Sequence, residues 1–111
     1  KLTARMEEVL QSTTIDEARI LTEVAKAHDK VMALTETGFE GVKDPMWWTG
    51  TLAEVLEGYP VSYVLVWRNA REKVTHFYAP YPGQESANDF VTFYNDSTTL
   101  FAADVKEILY K

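Results

Sequence analysis

With 111 residues, 46% of them hydrophobic, no cysteine and a net charge of −6, the chain suffices for one small domain with a core. The missing cysteine excludes disulfides, thiolate metal sites and thiol nucleophiles. The acidic balance excludes a nucleic-acid backbone as partner, and no apolar run reaches the ~18 residues that a membrane-spanning helix needs.

In residues 2–11, Leu2, Met6, Val9 and Leu10 recur at helical spacing, and Ser12–Thr13–Thr14 reads as a break. Thr14 and Glu17 have the spacing of a capping box, so a second helix is expected to run to about His28. Its apolar stripe is Ile15, Ala18, Leu21, Val24, Ala25 and His28, and Asp29–Lys30 ends it. The chain opens inside this pattern at Lys1 with no signal-peptide pattern, which places any targeting segment upstream. Val31, Met32, Ala33 and Leu34 then predict a buried strand over 31–35. It presents Glu36 at its carboxyl end before Gly38 turns the chain. A carboxylate on a rigid strand end suits a nucleophile or an acid/base group; the plain alternative is a solvated strand end.

Asp44 and Pro45 suit the start of a helix that carries Trp47, Trp48, Leu52, Val55 and Leu56 and stops at Gly58. Residues 61–67 are nearly all apolar, as in strands covered on both faces. Arg68–Asn69–Ala70 follows at the carboxyl end. Residues 71–88 form a long irregular stretch bearing His76, Phe77, Tyr78 and Tyr81, and loops this long in compact domains are usually functional. A short helix is expected from Ser86 and a last one over 102–110. Alternating strands and helices predict an α/β fold with a parallel sheet, whose ligands sit at the carboxyl ends of the strands. Two strands make no stable parallel sheet alone, so the chain reads as a piece of something larger. With six tyrosines, five phenylalanines and three tryptophans, some rings are expected to face a flat or ring-shaped ligand.

Leu34–Thr35–Glu36–Thr37–Gly38 and Tyr63–Val64–Leu65–Val66–Trp67–Arg68–Asn69–Ala70 resemble glycoside hydrolase family 26, the endo-β-1,4-mannanases. So do His76–Phe77–Tyr78–Ala79–Pro80–Tyr81–Pro82–Gly83 and the pair Asp89–Phe90, in the same order along essentially the whole chain. The resemblance implies the C-terminal fragment of a (β/α)₈ TIM barrel, about strands seven and eight with their flanking helices. It implies β-mannan as substrate, cleaved with retention, with Glu36 as nucleophile and the acid/base glutamate on an earlier strand outside this sequence. Trp67 resembles the platform under the sugar at the cleavage point, and Arg68 the residue that grips the next sugar. The chemistry fits these roles: retention needs two carboxyl groups about 5–5.5 Å apart, and an Arg fork suits sugar hydroxyls.

Plainer readings stand beside these. Trp67 could fill core space, and Arg68 could pair with Glu40 or Asp89. His76 is a candidate to line the cleft, Asp89 to brace a loop, and one of Trp47 and Trp48 to pack inward. Two distant histidines support no metal site, and no cofactor is implied. Rival functions are a related barrel β-glucanase or β-xylanase, or a carbohydrate-binding or assembly module without chemistry. A chain lacking its general acid forfeits roughly 10²–10⁴-fold in rate, so the isolated chain is expected to be inactive, and its open strand edges to self-associate. An extracellular, periplasmic or cell-surface address is expected of the parent, since a polysaccharide cannot enter a cell.

Overall fold

A computed structural model describes the backbone of residues 4–110 and the side chains of residues 16–110. The first helix, α1, is continuous over Ala4–Ala27. The break expected at Ser12–Thr13–Thr14 is absent, and Thr14 is a helix-interior residue rather than a cap. Serine and threonine each cost at most about 0.7 kcal/mol of helix propensity, too little for three of them to stop a helix. Leu2 lies outside the described residues. The helix ends as expected: Asp29 turns into the left-handed region (φ 53°), and Lys30 N–H donates to the Ala25 carbonyl at 2.8 Å. That six-to-one closure is the Schellman type.

The apolar stripe of α1 is only partly used. Ala18 and Thr22 are buried and Ala25 is half-buried, whereas Leu21 and Val24 are exposed. Small groups let the helix lie close on the sheet. Thr22 Oγ1 donates to the Ala18 carbonyl at 2.7 Å and sits 2.9 Å from Met32 Sδ.

Strand β1 (Met32–Thr37) pairs in parallel with β2 (Val61–Val66), with Met32 opposite Val61, Leu34 opposite Val64 and Thr37 opposite Val66. The strand therefore runs two residues beyond the expected end, and Glu36 lies within it. Ser62 Oγ donates to the Met32 carbonyl at 2.6 Å, tying the strand starts together. β2 was expected to be covered on both faces and is not: Tyr63 and Leu65 are exposed while Val61, Val64 and Val66 are half-buried. Helices of this chain cover only one side of the pair.

Between the strands, Asp44 Oδ1 accepts the Met46 N–H at 2.9 Å, which closes a turn ahead of the helix rather than capping it: the helix starts at Trp47, after Pro45, and its N-cap position is Met46 with no side-chain cap. The helix opens as a π-helical segment, Trp47–Leu52, and continues as α2, Ala53–Gly58. Both neighbouring tryptophans are buried, not one, their rings edge-to-face at 4.8 Å. They join Val42, Leu52 and Phe93 in the main core, against which Phe39, Val64, Phe77, Phe90 and Phe101 pack. A smaller core, Ala18, Met32 and Val55, lies under α1. Helices α3 (Ala87–Asn95) and α4 (Ala102–Leu109) complete the chain, and the Asp104 carboxylate accepts the Phe101 N–H at the start of α4 (2.9 Å).

Candidate active site

Parallel pairing brings the carboxyl ends of both strands to one end of the sheet, where Trp67 N–H donates to the Thr37 carbonyl at 3.1 Å. Glu36 and Trp67 therefore occupy adjoining strand ends, and both are exposed, as is Arg68. Trp67 follows Tyr63 and Leu65 at alternate positions and, like them, is exposed in this chain. Arg68 makes no ion pair among the described residues, and the two acids named as its structural partners are engaged elsewhere. Glu40 is held by His76 and Asp89 by Thr49.

The loops leaving the two strands are zipped together at three points. Gly41 N–H donates to the Phe77 carbonyl at 2.7 Å. His76 Nδ1 lies 2.7 Å from Glu40 Oε1. The Tyr78 ring lies so close to Gly38 (φ +144°) that a Cβ there would stand 2.7 Å from Tyr78 Cδ1. Glycine is required at this position both for the backbone angle and for the ring. Tyr78 also packs edge-on against His76, with centroids 5.3 Å apart.

Several residues that sequence reasoning did not single out hold this assembly. Asn69 Oδ1 accepts the N–H groups of Tyr78 (2.9 Å) and Ala79 (3.0 Å), and its Nδ2 donates to the Ala79 carbonyl at 3.1 Å. One amide thus clasps the two sides of the loop after β2. Below it, buried Gln84 donates to the Val42 carbonyl at 2.9 Å and accepts from Ser86 N–H and Oγ at 2.8 and 2.6 Å. Trp48 Nε1 donates to the same Ser86 Oγ at 3.2 Å. Val42, which Gln84 secures, is fully buried at φ 35°, a costly angle for a β-branched residue that the surroundings must impose. Asp89, also buried, accepts Thr49 N–H at 3.0 Å and Thr49 Oγ1 at 2.5 Å. It braces the π-helical segment against α3, the role given it from sequence.

The site is therefore a solvent-facing carboxylate and an indole on adjoining strand ends, backed by loops that share hydrogen bonds. No family model and no curated protein matches the chain. Solved structures do. A GH26 β-mannanase from Bacteroides ovatus, BoMan26A, is 61% identical with a TM-score of 0.79, over 85% of this chain and 27% of its own. The chain belongs to glycoside hydrolase family 26. GH26C from Muricauda sp. matches at 26% identity and a TM-score of 0.69, over 85% of this chain and 26% of its own. The chain thus spans about a quarter of the length of these family 26 structures. Its parallel strand pair with flanking helices is a portion of the family 26 (β/α)₈ barrel, which accounts for a sheet of only two strands with one face bare.

Proposed function

We propose that this chain is the C-terminal, nucleophile-bearing part of a retaining hydrolase of β-1,4-mannan. Glu36 attacks the anomeric carbon, and the glycosidic C–O bond breaks as the Glu36 ester forms. The leaving oxygen takes its proton from an acid on an earlier strand, outside this chain. Water, deprotonated by that same group, then attacks the anomeric carbon of the ester and releases Glu36 as a carboxylate. Trp67 offers a flat apolar face to the pyranose C–H groups, while Arg68 and His76 meet hydroxyls. The observation that carries the reading is an exposed Glu36 beside an exposed Trp67 at the shared end of β1 and β2, in a chain 61% identical to a β-mannanase.

The test is sugar release by the intact protein that carries this segment, on β-1,4-mannan, mixed-linkage glucan and xylan. Mannan is expected to be cleaved preferentially, with activity lost in Glu36→Ala and absent from the isolated segment. Preference for glucan or xylan moves the reading to the sister specificities. Saccharide binding that survives Glu36→Ala with no hydrolysis by the intact protein favours a binding module.

The same reading gives the bare apolar surface a partner. Ile20, Leu21 and Val24 on α1 and Tyr63 and Leu65 on β2 are exposed, where the rest of a barrel would cover them. Removed from that cover, the segment is expected to self-associate, and a monodisperse monomer by light scattering at micromolar concentration would refute this. Among the described residues no helix is long and apolar enough to cross a membrane. A polymeric substrate puts the working enzyme outside the cell, in the periplasm or on the cell surface.

A further inference from the structure

We propose that Glu40 is a positioning residue that fixes His76 as its Nδ1–H tautomer, so that Nε2 presents a lone pair to a substrate hydroxyl. The inference rests on the mannan reading above and adds to it a residue that touches no sugar. Glu40 Oε1 lies 2.7 Å from His76 Nδ1. An ionised carboxylate can only accept, so the proton between them belongs to Nδ1, and the neutral ring then has an unprotonated Nε2. The ring makes no other hydrogen bond among the described residues, which leaves Nε2 as its available nitrogen.

One ring contact and two backbone hydrogen bonds hold His76. The Tyr78 ring stands perpendicular to it at 5.3 Å, His76 N–H donates to the Lys73 carbonyl at 3.0 Å, and the His76 carbonyl accepts the Ala70 N–H at 2.9 Å. Glu40 comes from the loop that leaves β1 and His76 from the loop that leaves β2, so the pair ties the two loops together. Contacts between exposed side chains contribute little to stability, and both side chains are substantially solvent-accessible. The consequence of this pair is therefore the chemical character of Nε2. A nitrogen that accepts selects a hydroxyl pointing its proton inward, whereas a nitrogen that donates selects the opposite orientation.

The test uses the intact protein with ¹⁵N-labelled histidine, and His76→Gln to assign the ring. Long-range ¹H–¹⁵N spectra are expected to show His76 as the Nδ1–H tautomer in the wild type and in Glu40→Gln, whose amide oxygen still accepts. Glu40→Ala is expected to revert to the Nε2–H form. In parallel, KM for a manno-oligosaccharide is expected to rise about tenfold in Glu40→Ala, the equivalent of one hydrogen bond, with kcat within about twofold and recovery in Glu40→Gln. A wild-type ring in the Nε2–H form, or a tautomer indifferent to Glu40→Ala, overturns the proposal. So does a tautomer that follows Glu40 while KM stays fixed. A wild type that shows the expected tautomer but no mannan hydrolysis overturns the substrate reading and leaves the Glu40–His76 coupling supported by its spectrum.

Discussion

Replacing Gly38 by alanine tests whether the exit of β1 is built around the Tyr78 ring. The new methyl group would sit 2.7 Å from Tyr78 Cδ1 and 3.4 Å from its Cβ and Cγ, on a backbone held at φ +144°. Side chains rarely tolerate that angle, and holding it costs about 1–3 kcal/mol. Overpacking against a fixed ring adds about 1–3 kcal/mol. Tyr78 cannot simply swing away, because Asn69 holds its N–H and His76 packs on its ring. The two terms together give about 2–6 kcal/mol, a large part of the ~5–15 kcal/mol that stabilises a typical domain. Relaxation by shifting the loop instead moves Glu36, two residues upstream, and on the proposed mechanism misplacing that carboxylate by about 1 Å costs about 10²-fold in rate. Urea unfolding of the intact protein and kcat/KM on mannan read the two outcomes. The double variant Gly38→Ala/Tyr78→Ala should recover the steric part of the loss but not the backbone part. A Gly38→Ala protein within about 0.5 kcal/mol of wild type, with unchanged kcat/KM, would refute the reasoning.

Glu36→Gly in the intact protein should be inactive on an aryl β-mannoside and be rescued by azide. The product should be the α-mannosyl azide by NMR, because azide attacks from the face that the carboxylate vacated; a β-azide would remove Glu36 from the nucleophile's role. Asp89→Ala strips a buried acceptor from Thr49 N–H and Oγ1 and should cost about 2–4 kcal/mol in urea unfolding, with Asp89→Asn intermediate. Asp96 is held below its ordinary value of 3.8 by hydrogen bonds from the side chain and then the backbone of Thr98. Because the folded-state value is depressed, its contribution is complete above pH 3.8 and is lost as pH falls through the folded value. The gap in urea midpoint between wild type and Asp96→Ala should therefore shrink on acidification through that range; a gap that widens would show the sign to be wrong.

Strong local punctuation made the order of elements legible. Gly58 and Pro60 mark where the helix stops and where β2 begins, whereas Asp44–Pro45 marks the turn before the helix rather than its first residue. Glu36 stood out because the residues around it carry a family pattern; the structure adds that it is exposed at the strand end. Ser12–Thr13–Thr14 misled because weak helix formers do not break a helix that neighbouring turns already support. The burial of both Trp47 and Trp48 escaped notice because a π-helical turn abandons the 3.6-residue period on which such reasoning depends. The Trp48–Ser86, Thr49–Asp89 and Val42–Gln84 contacts join residues about forty positions apart, and no periodicity records a side chain reaching that far. The bare face of β2 was legible in residues 61–67, whose apolar run calls for cover on both faces while this chain has too few strands and helices to supply it.

The Asn69 clasp has a consequence for how this protein can change. Its amide and the Ala70–His76 hydrogen bond close the neck of the loop after β2, and the exposed tip at residues 71–75 is tied to that neck through the Lys73 carbonyl, which accepts the His76 N–H. Lengthening a loop whose ends are already joined costs only about 0.6 kcal/mol per doubling. That tip is a natural port for grafts: a fluorophore, an affinity tag or a longer lip over the cleft could be spliced in while the neck keeps Trp67 and His76 in register.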